Sequence, residues 1–373
     1  MLGARLMAAL DDLAGERFGY VGVGGPRMAE RGLHGLFPMD ELSLMGFAEV
    51  VPHIPGLLRR LGQCRRAIER LRPELVLTID APAFSLRLQR RLAGLAVRRV
   101  HYVAPQVWAW RPKRADRLAR DLDHLLALLP FEPPFFQRHG LACSFVGHPI
   151  VEEMVPGNGP AFRLQLGIGA DVPLLTVLPG SRRSEIEAHL PVLGSALERL
   201  EAEIPALQVV VPTLARIAPA VHAETTSWPV PVLVLEDRAA RFDAYAASDA
   251  AIAASGTVAL ELALARLPFV TIYRTGRVTA WLVRRMIRVR YANLVNLILD
   301  RPAVPELLQE ACTPDRIAEV TLGLLRDPSR RAGQIADLGE ASARLLGPDP
   351  RPPSVHAAEC VLGLLQTSPR GTA

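Results

Sequence analysis

The stretch LLTVLPGSRRSEIEAHL (174–190) decides the fold. Leu174–Leu178 is a short apolar run, Pro179-Gly180-Ser181 breaks it, and an amphipathic pattern opens near Ser184. This is a strand delivered straight into a turn and a helix start. The same grammar recurs in AASGTVALELALA (253–265), where a strand enters Ser255-Gly256-Thr257 and a helix follows at once. Outward from these two, strand-like runs lie at Leu207–Val211, Val230–Leu235 and Phe269–Tyr273. An earlier set lies at Phe18–Val23, Leu75–Ile79, Val97–Val103, Leu125–Leu129 and Ser144–Val146. Helical patterns separate most of them. Repeated βα alternation predicts parallel sheets covered by helices on both faces, and two sets predict two doubly wound domains.

The seam is legible. Gly147-His148-Pro149 leads into EEMVPGNGPAF (152–162), rich in Gly and Pro and without periodicity. The expected division is therefore 1–149, 150–346, and a 347–373 tail. That tail opens with the breaker cluster GPDPRPPS (347–354) and ends in an amphipathic helix, His356–Leu365. A chain of 373 residues agrees with two domains, since single cores rarely grow that large. With 50% hydrophobic and 22% charged residues it is not a disordered chain, and its 28 Gly and 32 Pro carry no collagen-like period.

The net charge of +5, largely from arginine, suits an anionic partner: nucleic acid, a phosphorylated substrate or a membrane face. The four cysteines, Cys64, Cys143, Cys312 and Cys360, form no CxxC pair and fit reduced thiols in a cytosolic protein. MLGARLMAALDDLAGER reads as a helix rather than a signal peptide, and no uncharged apolar run is long enough to span a bilayer.

In open parallel sheets ligands bind beyond the carboxyl ends of the strands. Four turns qualify. VLPGSRRSEI (177–186) places helix-start amides beside Arg182 and Arg183, which suits a phosphate, although an ordinary turn with solvated arginines reads the same way. Ser255-Gly256-Thr257 allows close backbone approach and hydroxyl contacts, with Glu261 one turn on as an acceptor for ribose hydroxyls; a capped helix with a solvated Glu261 is the alternative. Neither turn is a P-loop. In TIDAPAF (78–84), Asp80 stands at a strand end, either as a general base or as an Asx-turn. HYVAPQVWAWRPKR (101–114) gathers Trp108 and Trp110 with cations, for stacking on sugars or for packing on a sheet edge. His101 alone reads as structural. Two stretches, 50–72 and 277–291, mix apolar residues with arginines as membrane-surface helices do, and as ordinary surface helices do.

Together the motifs resemble one family. GVGGPRM (22–28), DELSLMGFAEV (40–50), IDAPAF (79–84), HYVAPQVWAWR (101–111), LPFE (129–132), FVGHP (145–149), LPGSR (178–182), ASGTVALE (254–261) and NLVNLIL (293–299) occur in the order found in lipid-A-disaccharide synthases. The resemblance covers nearly the whole chain. It implies a GT-B fold, with two Rossmann-like domains facing a cleft. It also implies an inverting glycosyltransferase with no cofactor and no required metal. The substrates implied are UDP-2,3-diacylglucosamine and 2,3-diacylglucosamine 1-phosphate (lipid X), the product a β(1→6)-linked disaccharide 1-phosphate, and the location the cytoplasmic face of the inner membrane.

Carried over by motif, Asp80 matches the acid that deprotonates the acceptor 6-hydroxyl. Arg182 matches the arginine that meets UDP, Ser255, Gly256 and Thr257 the diphosphate loop, and Glu261 the ribose ligand. Asn296 matches an asparagine placed at the nucleotide, in a segment where Val295 replaces the family's proline. Glu306 and Gln309 lie just beyond. The family's apolar, membrane-facing surface corresponds to Val50, Val51, Ile54, Leu57, Leu58 and Leu61.

One departure stands out. The family begins with a strand and a Gly-Glu-x-Ser-Gly-Asp loop before a helix resembling LGARLMAAL, whereas this sequence begins at that helix, which suggests a start further upstream or a truncated chain. Two other readings stay open: a different UDP-sugar enzyme of the same fold, and a non-catalytic nucleotide-sugar-binding protein. The arginines accompany no RNA- or DNA-reading motif, so nucleic acid is not expected as a partner. The oligomeric state is open, a homodimer being one candidate.

Overall fold

The structure is a computed structural model. It describes residues 1–15, 18–42, 47–237, 239–276, 280–281, 285–347 and 349–366, with the side chains of 47–54 outside that description. The chain divides into two compact units, Met1–Glu152 with Leu345–Ala373, and Glu153–Arg344. The stretch read as a tail thus returns to the first unit. Its helix, Pro353–Leu365, packs along the first helix, Leu2–Ala14, and buries Ala357, Ala358 and Val361 with Leu6, Ala9 and Leu10. Gly147, at φ +86°, makes that return possible: a Cβ there would stand 3.0 Å from the Leu346 carbonyl oxygen and from Pro353.

In the first unit a four-stranded parallel sheet runs β3 (Leu75–Ile79), β4 (Arg98–Tyr102), β5 (His124–Ala127), β6 (Cys143–Phe145), in that spatial order. The predicted strand at Phe18–Val23 is corrected. Only Val21–Gly22 (β1) pairs, and it pairs with His34–Gly35 (β2) in a separate two-stranded ribbon. Four glycines between residues 19 and 25 give this segment few side chains to pack on a sheet.

The second unit carries a six-stranded parallel sheet built from β7 (Leu174–Leu178), β8 (Gln208–Pro212), β9 (Val232–Leu235), β10 (Ala250–Ala254), β11 (Phe269–Tyr273) and β12 (Glu306–Leu308). The spatial order is β12-β11-β10-β7-β8-β9. Every residue of β7 and of β10 is buried, as central strands covered on both faces must be. Counted from the sheet's own first strand, that order is 3-2-1-4-5-6, the dinucleotide-binding arrangement. Strand β12 went unread in the sequence because three residues carry too little period to register.

Candidate active site

In the second unit the strand order reverses between β7 and β10, which are direct neighbours, with Leu178 level with Ala253. The turn 179–182 leaves β7 and the turn 255–257 leaves β10. The two turns singled out in the sequence therefore flank the switch point, where crevices open in such sheets.

Their chemistry differs from the sequence expectation in one respect. Two amides just before the helix Arg183–Glu203 are already engaged. Glu185 Oε2 accepts from Ser181 N at 2.9 Å and from Arg182 N at 3.2 Å, and Glu185 Oε1 accepts from Arg182 Nη1 at 2.7 Å. Burial pushes the Glu185 carboxyl up, but the Ser181 amide and the Arg182 guanidinium and amide outweigh it, so its pKa lies below the ordinary value. An internal carboxylate thus holds the Ser181 and Arg182 amides of this turn. The Arg182 side chain remains 75% exposed beyond it.

At the second turn Gly256 and Thr257 are exposed, and a Cβ on Gly256 would meet nothing within 4 Å. Ser255 Oγ donates to the Ala292 carbonyl at 3.2 Å. Glu306 ties in the same segment, accepting from Ala292 N and Asn293 N at 3.0 Å each and from Asn296 Nδ2 at 2.8 Å.

Asn296, expected at the nucleotide, is fully buried, and its carboxamide is bonded inside the protein. Besides Glu306, Asn296 Nδ2 donates to the Val304 carbonyl and Asn296 Oδ1 accepts from Val304 N, each at 2.8 Å. It shapes the 292–306 segment from beneath. Glu261 is held as well: Arg241 Nε lies 3.2 Å from Glu261 Oε2, and Tyr245 Oη donates to the same oxygen at 3.2 Å. Gln309, half-buried at φ +52°, accepts from Thr275 N through Oε1 at 3.3 Å.

Sequence reasoning passed over His189. It is fully buried, with Nδ1 2.6 Å from the Pro179 carbonyl and Nε2 2.9 Å from Arg274 N. A carbonyl only accepts and an amide only donates, so the ring is the neutral Nδ1–H tautomer. Burial lowers its pKa, in keeping with that state. This imidazole clamps the 179–182 turn to the end of β11. A single histidine on the apolar side of an amphipathic helix was its only sequence signal.

In the first unit Asp80 follows β3 and is exposed. Its amide donates to the Tyr102 carbonyl at 2.9 Å, at the end of β4. Asp80 and Ala81 both take left-handed backbone, at φ +49° and +46°, and so does Val103, at φ +81°. Such conformations are costly for residues with a Cβ, most of all a β-branched one, and they cluster at functional sites.

Beneath Asp80, His101 is fully buried, with Nδ1 2.8 Å from Thr78 Oγ1, and burial drops its pKa to about 4. It is structural, as read. Trp108 is buried and Trp110 more exposed. Of the apolar surface expected on the helix Phe47–Leu71, Leu58 is exposed and Leu57 half-buried, whereas the side chains of Val50, Val51 and Ile54 lie outside the described residues. Leu61 is corrected: it is 2% exposed and packs with Phe37, Leu88 and Leu92 in the core. Among the described residues no helix is long and apolar enough to cross a membrane.

The comparisons with known proteins converge. Residues 1–344 match the family described as lipid-A-disaccharide synthetase. The lipid-A-disaccharide synthase of Rhodospirillum centenum is 55% identical, over 98% of this chain and 92% of that protein. That of Paramagnetospirillum magneticum is 44% identical, over 98% and 95%. Among solved structures, MurG from Acinetobacter baumannii superposes with a TM-score of 0.57 at 15% identity, covering 98% of this chain and 95% of that one. A UDP-GlcNAc 2-epimerase from Neisseria meningitidis gives 0.59 at 10% identity, covering 97% and 96%. At these identities the structural matches speak to the GT-B glycosyltransferase fold alone. The sequence matches run over nearly the full chain and carry the activity: this chain belongs to the lipid-A-disaccharide synthase family, glycosyltransferases of lipid A biosynthesis.

Proposed function

We propose that the chain joins UDP-2,3-diacylglucosamine to lipid X with inversion at the transferred sugar carbon. In this reading Asp80 takes the proton from the acceptor 6-hydroxyl. The hydroxyl oxygen forms a bond to the sugar C1 as the C1–O bond to UDP breaks, and UDP departs with its electron pair. Inverting displacement needs a base on the acceptor and charge stabilisation on the leaving group.

The observation that carries the donor half is the reversal of strand order between β7 and β10, with the 179–182 and 255–257 turns on either side. Exposed Arg182, Gly256 and Thr257 are the groups that would meet the diphosphate, and Ser255 sets their turn. Glu261 would receive a ribose hydroxyl beside its Arg241 and Tyr245 partners. Asn296, Glu306, Gln309 and His189 support these turns from within. The strained, exposed Asp80 supports the acceptor half.

Acyl chains on both substrates call for an apolar, cationic approach to a membrane. The exposed Leu58 among Arg59, Arg65 and Arg66 supports peripheral association with an anionic cytoplasmic membrane face.

The test is turnover by the 373-residue chain with both lipids in detergent micelles and EDTA present. Disaccharide 1-phosphate is the expected product. Equal turnover of an acceptor without acyl chains would move the reading to another UDP-sugar transferase. Full turnover by Asp80→Asn with unchanged substrate affinity would remove Asp80 as the base.

A further inference from the structure

Glu132 belongs to none of the groups assigned above, and its surroundings are unusual. It is 2% exposed, and the groups that reach its carboxylate are N–H donors on neutral amides and an indole. Glu132 Oε2 accepts from Leu128 N at 3.1 Å and from Leu129 N at 3.0 Å, in the turn that leaves β5. Glu132 Oε1 accepts from Trp108 Nε1 at 3.1 Å, in the turn that leaves β4. One buried carboxylate therefore joins the carboxyl-end turns of two adjacent strands. Burying a carboxylate is costly, and an apolar residue would fill the same space without that cost. The Trp108 ring also stands edge-on to Phe131, with centroids 4.9 Å apart and planes at 87°.

The turn that Trp108 anchors is strained. It leaves β4 through Val103, whose φ of +81° is disfavoured for any residue with a Cβ and worst for a β-branched one. Such a conformation persists only when both flanks are pinned. On one side Val103 N donates to the Leu126 carbonyl at 3.0 Å, and on the other Trp108 is fastened to Glu132. The residue just before Val103, Tyr102, holds the amide of Asp80. The pinned turn is thus continuous with the backbone that presents the acceptor-side acid.

We propose that Glu132 is a positioning residue for the reaction: acting through the Trp108 indole N–H, it holds the 103–111 turn in its strained form beside Asp80. This rests on the reading that Asp80 serves the acceptor. Glu132 is not a catalytic residue, since it is sealed from any substrate.

The experiment is steady-state kinetics of the full chain with both substrates varied. The proteins are the parent, Glu132→Gln, Trp108→Phe, the double variant, Asp80→Asn, and Leu141→Ala as a core control. A glutamine that keeps its oxygen on the Leu128 and Leu129 amides turns its NH2 toward Trp108 and breaks that bond alone. We expect kcat/KM for the acceptor to fall tenfold or more in Glu132→Gln, with the donor KM within twofold of the parent. Trp108→Phe keeps the ring packing, so it carries the test should Glu132→Gln fail to fold, and it should show the same loss. The double variant should be no worse than either single one. Leu141→Ala should lower the melting temperature without this split between substrates.

Parent-like kinetics in Glu132→Gln, a donor KM raised as much as the acceptor's, or additive losses in the double variant would each overturn the positioning role. Parent-like kinetics in Asp80→Asn would overturn the acceptor-side reading instead, so the two failures are told apart.

Discussion

Glu185 Oε2 lies 2.9 Å from the amide nitrogen of Ser181, and the glycine before that serine is what admits it. A Cβ on Gly180, at φ +128°, would stand 2.7 Å from both Cβ and Oε2 of Glu185. The turn between β7 and the helix Arg183–Glu203 is thus preformed around its own carboxylate. It does not wait for a ligand phosphate to order it, and Arg182 is left projecting outward with one edge of its guanidinium already held.

Gly180→Ala should therefore act twice. Strain and the clash with Glu185 should cost on the order of 1–3 kcal/mol in urea unfolding. UDP affinity, read by calorimetry, should fall about tenfold as the turn shifts, each tenfold step corresponding to about 1.4 kcal/mol. Glu185→Ala leaves the Ser181 and Arg182 amides without their partner and should cost about 1–3 kcal/mol. Unchanged stability in both variants would mean that the turn is not built around this carboxylate.

Asn296→Ala separates a structural asparagine from a nucleotide ligand. The fully buried carboxamide serves both backbone groups of Val304 as well as Glu306. Its removal should destabilise the protein by about 2–4 kcal/mol, since several buried groups lose partners together. At temperatures where the variant is folded, UDP affinity should stay within threefold of the parent. A large affinity loss with little loss of stability would restore the direct-contact reading.

Buried histidines set an acid limit on stability. Burial lowers His101 and His148 to about 4 each. In the unfolded chain both titrate near 6.5, so between pH 6.5 and about 4 the unfolded state binds more protons. The stability these two histidines contribute is complete above pH 6.5 and falls as the pH drops through this window. For His101 the loss approaches about 3 kcal/mol, from a shift of between two and three units. Urea midpoints at pH 7.5 and 5 should differ less in His101→Asn than in the parent, and equal differences would refute the assignment.

Leu58 and Leu61 stand three residues apart on one helix and should answer differently to the same substitution. Leu58→Asp, on an exposed site, should leave the melting temperature within about 2 °C while weakening sedimentation with anionic vesicles. Leu61→Asp buries a carboxylate in the core beside Phe37 and should unfold the first unit. Vesicle binding by Leu58→Asp equal to the parent's would remove this face from the membrane reading.

Local pattern carried much of this fold. β7, β10 and β11 lie where their apolar runs end at turn residues, because a strand covered on both faces must be apolar along its whole length. β2 and β12 were not legible and β1 was read too long, since two or three residues define no period and their pairing depends on distant partners. The motifs placed Asp80, Arg182 and the Ser255 turn at strand ends, which follows from chain order alone.

What only the tertiary structure decided is where each buried acceptor is spent. Glu185 carried a faint signal, an acid three residues into a helix start. Glu132, His189 and Asn296 carried almost none, because a side chain's partners are fixed by loops that return to it in space. The sequence by itself determined the alternation of strands and helices and the family, through apolar period and motif order. Folding determined that a carboxylate already fills the turn after β7, that Asn296 faces inward, and that Leu61 belongs to the core. A buried polar group must find its partner wherever the chain delivers one, and that delivery is a property of the packed molecule.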